Sequence, residues 1–211
     1  MAEETLPTKE RILEAAKTEF RAQGFRGASL RGIVKNAGVT TGAFYGYYDS
    51  KEALFAALVD EGYRYILGTY TDALNEFEQL SPARQCEEMG QVGGDCMRRM
   101  LLYMDARRDV FHLLLECAGG TAYARLVDEL VALEVGATDR YVETLRRTGK
   151  TVPEIDRKLE HILVTGMMNA YFEIIIHDMP LPDAERYLAE LNAFYTAGWA
   201  KVMLFHFCAE S

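Results

Sequence analysis

Three glycines and four aromatic residues within residues 37–54 restrict the fold of this chain more than any other segment. Gly38 follows a helical pattern of apolar residues, and glycine adopts the left-handed backbone that a tight turn between two helices requires. From Thr40 to Tyr48, small and aromatic groups stand where surface helices normally carry Lys and Glu. The segment therefore predicts two helices joined by a short turn, the second with an unusual surface.

The surface of this second helix suits a helix that enters the major groove of DNA. Small residues allow close approach to the duplex, and the hydroxyls of Thr and Tyr can bond base edges and phosphates. Val39 is expected to lie as an apolar plug beneath the turn, and Phe44 and Tyr48 are expected in the core. Tyr45 and Tyr47 fall on the opposite face, so the sequence predicts separate packing and binding faces.

The chain has a net charge of -9, but its acidity lies outside the N-terminal quarter. Residues 1–52 contain eight Lys and Arg against seven Asp and Glu, whereas residues 53–211 contain 15 against 25. In the first part, the basic residues nearest the turn are Arg26, Arg31, Lys35 and Lys51. Because phosphate neutralisation depends on charges at the contact, the acidic total does not exclude a nucleic-acid partner.

Helical spacing of apolar residues recurs along the whole chain, and alternating strand patterns are almost absent. We therefore predict an all-α fold of about nine helices. Residues 1–52 would form a three-helix DNA-binding domain of the helix-turn-helix type. Residues 53–211 would form a helical body for ligand binding and dimerisation. A fourth helix, starting near residue 50 and reaching about residue 77, would link the two parts.

Side chains that accept hydrogen bonds from backbone N–H groups mark where the first helices begin. Thr8 is the predicted cap of the first helix, which Gly24 is expected to end. Ser29 is the predicted cap of a short second helix over residues 30–36, and Thr40 or Thr41 of the third. Residues 49–52 fit a capping box for the fourth helix.

The helices of the body are predicted from the same kinds of signals. Ser81-Pro82 combines a cap with a proline at the first helical position. Gly90, Gly93 and Gly94 leave open whether the helix that follows is kinked or partly loop. The other predicted limits are a helix from about Thr121 to Arg147, one from Thr151 to His177, and a last one from Asp183 to about Cys208.

Residues 8–58 carry apolar, glycine and aromatic positions in the order and spacing of one known family. The matching positions are Ile12-Leu13, Ala15-Ala16, Phe20, Gly24-Phe25, Ser29-Leu30, Ile33, Ala37-Gly38-Val39, Gly42, Phe44-Tyr45, Tyr47-Tyr48 and Lys51-Glu52. With this pattern the segment resembles the DNA-binding domain of the tetracycline-repressor-like (TetR/AcrR) family of bacterial transcription regulators. The rest of the chain resembles the family in length, helicity and acidity.

The resemblance implies a role for each matching position. The implied DNA-binding residues are Ser29, Arg31, Thr40, Thr41, Gly42, Ala43, Tyr45, Gly46, Tyr47 and Lys51. In the third helix, the residues that would face base edges are Thr41, Gly42, Ala43 and Gly46. Tyr45, Tyr47 and Lys51 would face phosphates. Ser29 and Arg31, from the preceding helix, would touch the DNA backbone. Gly46 is smaller than the residue common in the family, so sequence choice is expected to depend on Thr41, on Arg31 and on DNA deformability.

Motifs for catalysis are absent from the sequence, so we predict that the chain is not an enzyme and needs no cofactor. His112 and Glu116 lie four residues apart, as do Glu173 and His177, and each pair could bind a metal, face an effector pocket or form a plain helix pair. We carry the first pair as pocket candidates and predict no metal. Four widely spaced cysteines are typical of reduced intracellular thiols.

Two further sites are predicted in the body. Apolar and polar residues of the central helices, which line effector cavities in the family, are candidates for binding a small molecule. Small residues spaced by three or four in the last two helices, beside aromatic anchors, suit an interface between two copies. The pocket candidates are Tyr103, Met104, Phe111, His112, Glu116, Met167, Met168, Tyr171 and Phe172. The interface candidates are Gly166, Ala170, Ala189, Ala193, Tyr195, Ala197, Trp199, Ala200 and Val202.

Together these features predict a homodimeric, ligand-responsive transcription repressor. Its partners would be a pseudo-palindromic double-stranded DNA operator and an unidentified small-molecule effector. No apolar run reaches the ~18 residues of a membrane span and residues 1–4 are unlike a signal peptide, so we expect a cytoplasmic location and no membrane partner. An activator with the same DNA-binding domain, or a helical binding protein without DNA binding, is the alternative.

Overall fold

The regular elements of the protein are helical throughout the part of the chain that the structure describes, which confirms the predicted all-α class. This structure is a computed structural model that describes residues 6–152 and 154–204, without the side chains at positions 86, 203 and 204. In chain order its α-helices are α1 (Thr8–Gly27), α2 (Leu30–Asn36), α3 (Thr41–Tyr45), α4 (Lys51–Glu78), α5 (Pro82–Asp105), α6 (Arg108–His112), α7 (Leu126–Arg147), α8 (Arg157–Ile176) and α9 (Leu181–Trp199).

The chain divides into two compact units. Unit 1 is Met1–Arg64 with Arg107–Arg125, and unit 2 is Tyr65–Ala106 with Leu126–Ser211. The helix α4 therefore contributes its first half to unit 1 and its second half to unit 2. Unit 1 also contains a π-helix at Leu113–Cys117 and a 3-10 helix at Ala122–Arg125. Where the DNA-binding function ends, which we place at residue 52, remains a prediction.

An aromatic cluster forms the centre of unit 1. The rings of Phe20, Phe25 and Phe55 lie with centroids 5.1–5.8 Å apart, and all three side chains are buried. Such edge and offset arrangements add to the burial of large apolar surfaces. Ile12 and Ala16 are fully buried on the same helix as Phe20, as their helical spacing predicts. The cluster therefore fixes α1 against the start of α4.

The predicted caps of the second and third helices are confirmed. Ser29 Oγ accepts a hydrogen bond from the Gly32 N–H at 3.3 Å, and Thr40 Oγ1 accepts one from the Ala43 N–H at 3.1 Å. Thr40 is therefore the cap, and Thr41 is the first helical residue. Gly38 has a φ of +62°, the left-handed backbone expected of the turn. These local contacts set where α2 ends and α3 begins.

Several predicted helix ends were wrong. Thr8 is the first residue of α1, and its side chain makes no cap bond. Gly24 has a non-helical, left-handed φ of +64° and interrupts the helix where its end was predicted, although a further turn continues to Gly27. The helix α8 begins at Arg157 rather than near residue 151, because Asp156 caps it by accepting from two backbone N–H groups. The helix α9 begins at Leu181, directly after Pro180. Cys208, the predicted end of the last helix, lies outside the described residues.

The three glycines of α5 lie within one continuous helix, which settles the alternative left open by the sequence. A Cβ at Gly90 would lie 2.9 Å from Thr196 Cγ2 of α9, and one at Gly94 would lie 2.9 Å from Asn192 Nδ2. The Asn192 Nδ2 donates a hydrogen bond to the Gly90 carbonyl at 3.0 Å. Two of these glycines therefore allow α5 and α9 to approach closely.

We expect Gly90→Ala to lower the free energy of unfolding by about 1–3 kcal/mol relative to Gly93→Ala. The branched Thr196 side chain has atoms at 2.9 and 3.1 Å from the added methyl group, so rotation about its χ1 does not relieve the clash. Gly93 is the matched control because a Cβ there meets nothing within 4 Å. Urea unfolding followed by circular dichroism measures the difference, and equal stabilities would contradict the close approach.

The helix α8 is the apolar core helix of unit 2. Among the described residues it is the one helix long and apolar enough to cross a membrane by length and composition, a property the sequence reading had not found. Tyr171 and Met168 are fully buried in the unit, and the Tyr171 hydroxyl donates to the Met97 carbonyl at 2.8 Å. Such burial is what a core helix shows, so the length and composition of α8 are weak evidence for a membrane.

Candidate functional site

The helix α3 presents one buried and one exposed face. Phe44 is fully buried and Tyr48, just after the helix, is 7% exposed, as predicted for the packing face. Tyr45 and Tyr47 are 52% and 50% exposed. Since the Tyr45 ring packs edge-on against Phe44, at 5.3 Å between centroids, the buried residue also orients an exposed one.

The small residues predicted to face base edges are accessible. Thr40, Thr41, Gly42 and Gly46 are exposed, and Ala43 is half-buried. Gly46 has a φ of -73°, an ordinary helical value, so its backbone does not require glycine. A Cβ at Gly46 would lie 3.3 Å from the Ala43 carbonyl oxygen, so glycine avoids this close contact and leaves space on the exposed surface. The structure thus brings the predicted residues of α3 to one accessible surface, and their contact with DNA remains a prediction.

The preceding helix adds hydroxyl and basic groups beside this surface. Ser29, Arg31 and Lys35 are exposed on or next to α2. The Ser29 hydroxyl accepts the cap bond from Gly32, so its own proton stays available to donate. Glu19 Oε1 accepts from the Ser29 N–H at 2.9 Å. The sequence reading missed this carboxylate, because nothing in the spacing of residues 19 and 29 signals the contact.

The ammonium group of Lys51 has an internal role that the sequence reading also missed. Its Nζ donates to the carbonyls of Phe25 and Ala28 at 2.8 and 3.0 Å and lies 4.5 Å from the centre of the Phe25 ring. These carbonyls belong to the C-terminal end of α1, where a cation is favourable. A lysine has three N–H donors, so one is left to meet a phosphate.

We expect Lys51→Ala to weaken both folding and DNA binding. Losing two charge-assisted hydrogen bonds should lower the free energy of unfolding by about 1.5–3 kcal/mol. Losing a phosphate contact should lower the slope of log affinity against log salt by about one unit. Urea unfolding and binding titrations at several salt concentrations measure the two effects. The control for stability is Lys35→Ala, because Lys35 is an exposed lysine of α2. An unchanged stability of Lys51→Ala would show that the hydrogen bonds of Lys51 to α1 do not stabilise the fold.

A cavity of about 140 Å³ lies within unit 2. Its walls come from α4, α5, α7, α8 and α9 and include five aromatic side chains. Glu134 of α7 also lines it, and its Oε2 accepts a hydrogen bond from the Tyr70 hydroxyl at 2.7 Å. The sequence offered one signal for this group, since Glu134 interrupts the apolar run of residues 130–137. A ligand of modest size with polar and apolar parts suits such a site.

The pocket candidates chosen from the sequence lie in several places. Met167 lines the cavity. Tyr103 stacks on Tyr65, with ring centroids 3.6 Å apart, and the fully or almost fully buried candidates of unit 2 are Met104, Met168, Tyr171 and Phe172. Phe111, His112 and Glu116 belong to unit 1. The cavity of unit 2 therefore differs from the predicted set, because which face of a helix lines a cavity depends on its neighbours.

In each of the two His–Glu pairs, the imidazole contacts the carboxylate four residues away along the same helical segment. His112 Nδ1 lies 2.6 Å from Glu116 Oε2, with the imidazole buried. His177 Nε2 lies 2.8 Å from Glu173 Oε2 at an exposed position. Both distances are those of direct pairing at a spacing of four residues. Plain helix pairing accounts for both contacts, and a role of His112 and Glu116 in an effector pocket remains a prediction.

The interface candidates face different surroundings. Ala189, Ala193 and Ala197 are exposed on α9. Tyr195 and Trp199 line the cavity instead. A Cβ at Gly166 would lie 3.2 Å from the Tyr195 hydroxyl. Ala200 packs against the buried pair Tyr141 and Leu145. Ala170 and Val202 are half-buried. The largest exposed apolar side chains near this surface are Phe194 at 72% and Ile162 at 64%.

Known proteins similar to this chain match its N-terminal part most strongly. The model of the bacterial regulatory proteins of the tetR family matches residues 12–58. The uncharacterized HTH-type transcriptional regulator YdgC of Bacillus subtilis is 43% identical over 61 residues, which are 29% of this chain and 31% of that protein. This chain therefore matches about a third of that relative's length.

Two other proteins are similar over most of the chain. The HTH-type transcriptional regulator TtgR of Pseudomonas putida is 28% identical over 211 residues, covering 93% of this chain and 91% of that protein. A transcriptional regulator from Aquifex aeolicus of known structure has a TM-score of 0.51 at 21% identity, with 90% of this chain and 99% of that chain covered. The latter shows a shared fold.

The capped helices, the left-handed turn and the split surface of α3 define unit 1 as a helix-turn-helix structure. The match over residues 12–58 and the similarity along the chain agree with this class. Residues 12–58 match the tetR family of bacterial regulatory proteins, and over most of its length the chain is similar to bacterial transcriptional regulators.

Proposed function

We propose that this chain is a DNA-binding transcriptional repressor that a small-molecule effector releases from its operator. The observation that supports DNA binding is the exposed face of α3, where hydroxyls and small residues stand beside the basic side chains of α2. A short helix with this surface fits the major groove, with bases read by its small and hydroxyl residues and phosphates held by Tyr and Lys.

Selection of bound sequences from random duplex DNA tests this proposal with the full chain. We expect an enriched pseudo-palindrome whose half-sites lie about 34–36 Å apart or a multiple of that spacing. Affinity should fall steeply with salt, as phosphate contacts require. Binding without an enriched sequence would overturn the proposal. A reporter gene under the selected operator then distinguishes repression from activation, because loss of a repressor raises expression.

The operator symmetry calls for two copies of the chain. Exposed alanines on α9, with Phe194 and Ile162 exposed nearby, support an interface between copies of unit 2. Small residues allow helix backbones to approach closely, and exposed large apolar groups are typical of interaction surfaces. Light scattering at micromolar concentration is expected to give twice the chain mass, 2 × 23.8 kDa, and a monomer would contradict the proposed dimer.

Release by an effector follows if the ligand binds more tightly to a dimer whose DNA-binding domains have the wrong spacing. Thermodynamic linkage then requires operator DNA to weaken effector binding by the same factor. Equal effector affinities with and without operator would overturn this part of the proposal. A regulator that acts on operator DNA in a bacterial cell works in the cytoplasm, which is the location we propose.

A further inference from the structure

Glu134 brings a carboxyl group into the cavity of unit 2 without a cationic partner. Its Oε2 accepts from the Tyr70 hydroxyl, and among the described residues Tyr70 is its one hydrogen-bond partner. None of the described residues that line the cavity is Lys, Arg or His. Because an ionised carboxylate away from water is costly unless it is paired, this group favours a ligand that supplies a positive charge.

The ionisable groups around Glu134 do not supply that charge. Burial raises the pKa of Glu134, and burial together with the nearby carboxylate raises the pKa of Tyr70 well above its ordinary value. Burial also raises the pKa of the Cys96 thiol to about 12, so this group is neutral at physiological pH. Among the described lining residues, Glu134 is therefore the one acidic or basic side chain of the Asp, Glu, Lys, Arg and His types.

The walls of the cavity are suited to a cation. The aromatic side chains that line it are Tyr70, Phe77, Tyr141, Tyr195 and Trp199. The rings of Phe77 and Tyr141 meet edge-on at 5.6 Å between centroids, which forms one fixed aromatic corner. The faces of such rings attract ammonium groups, and quaternary ammonium ligands are commonly bound in aromatic cages. A neutral apolar ligand gains from the rings but leaves the carboxylate unpaired.

The volume of the cavity and the charge of the surrounding residues further restrict the chemical class of its ligand. A volume of about 140 Å³ is comparable to that of cavities that hold one benzene molecule, so the occupant is small. Residues 53–211 contain 15 basic against 25 acidic residues, which makes the surroundings attractive to a cation. An organic anion would meet repulsion both at Glu134 and from this background.

We propose that the cavity of unit 2 binds a small organic monocation, a quaternary or protonated amine, with Glu134 as its counter-ion and the aromatic side chains around its positive end. The claim that this cation is the effector rests on the proposed function as a ligand-released repressor. The claim that the cavity binds a cation does not depend on DNA binding. The Tyr70 hydroxyl holds the carboxylate in place, and the ligand would pair its positive charge with this carboxylate.

A pair of probes that differ in charge tests the site. Choline and 3,3-dimethyl-1-butanol have the same shape, with a quaternary nitrogen in one and a quaternary carbon in the other. Calorimetric titration of the full chain is expected to give at least tenfold tighter binding of choline, a difference that a desolvated cation over aromatic rings and a carboxylate provides. Equal binding of the two probes, or binding of neither, would overturn the proposal.

The variant Glu134→Gln separates the charge from the shape of the site. It is expected to lower choline affinity at least tenfold and to leave the affinity for the alcohol within about twofold, because the amide keeps the volume of the carboxyl group. Circular dichroism checks that it is folded. Tyr70→Phe is the second variant, and it removes the hydrogen bond that favours the ionised carboxylate, so choline affinity should fall while the affinity for the alcohol stays within about twofold. Unchanged choline binding by Glu134→Gln would contradict the proposal that Glu134 is the counter-ion of the ligand.

Operator release is measured separately from these titrations. If the cation binds but does not release operator DNA, the site stands and the effector role fails. If the chain selects no operator, the proposed repressor fails while the charge comparison remains decisive for the cavity. If operator binding is intact and the charged probe does not bind more tightly than the neutral one, the cation site alone fails.

Discussion

Thr41→Asp is expected to reduce operator affinity by at least about 100-fold while the protein stays folded. Thr41 is the first residue of α3 and is exposed, so a new carboxylate there would face the phosphates and base edges that the helix is proposed to approach. The same carboxylate sits in the first turn of a helix, where a negative charge stabilises by about 0.3–1 kcal/mol. Stability and DNA binding should therefore change in opposite directions.

Fluorescence titration of a labelled operator measures the affinity, and urea unfolding measures the stability. Gln91→Glu is the matched control, because it adds the same charge at an exposed position of α5 in unit 2. Its operator affinity should stay within about threefold of that of the original chain, because Gln91 is not among the proposed DNA-binding residues and exposed charges that do not contact DNA are screened by salt. Operator binding by Thr41→Asp at the original affinity would show that α3 does not face DNA.

The local signals in the first 50 residues predicted the helix-turn-helix well. Ser29 and Thr40 cap helices through their own side chains, and Gly38 takes the left-handed backbone, each of which is a property of a few neighbouring residues. The alternation of buried Phe44 and Tyr48 with exposed Tyr45 and Tyr47 follows from helix geometry. Sequence reading succeeds where the determining interactions are local.

Predictions failed where the partner of a residue is distant in sequence. The start of α8 is an exception, because its cap Asp156 is local and the Thr-Val-Pro segment just before it resembles a second helix start. Gly90 and Gly94 left open whether α5 is kinked or partly loop, because their lack of side chains serves the contact with α9, about a hundred residues away. A glycine pattern does not tell a break from a close approach until the facing helix is known.

The same limit applies to the candidate sites. Lys51 was placed on phosphates from the resemblance, yet two carbonyls of α1 also hold it, 23 and 26 residues earlier in the chain. The cavity includes Met167 but is otherwise lined by residues outside the predicted set, among them Glu134 and Tyr70. Which face of each body helix turns inward is decided by the packing of five helices, and periodicity within one helix does not specify its neighbours.

Phe44→Ala is expected to lower the free energy of unfolding by about 3–5 kcal/mol, the largest stability change among the variants considered. Phe44 is fully buried, with its ring centroid 6.0 Å from that of Tyr48, and it anchors a helix of five residues. A helix this short has too few internal hydrogen bonds to persist without tertiary packing. Removing the ring should therefore free α3 from unit 1 and abolish operator binding as a consequence.

Tyr45→Ala is the neighbouring control that separates folding from binding. The Tyr45 side chain is 52% exposed, so its removal should cost less than about 1 kcal/mol in stability. Its hydroxyl is proposed to meet a phosphate, so operator affinity should still fall by about tenfold. Urea unfolding and operator titration of both variants give the comparison. Equal loss of stability in the two would mean that α3 is held by both faces, and the distinction between a packing face and a binding face would be lost.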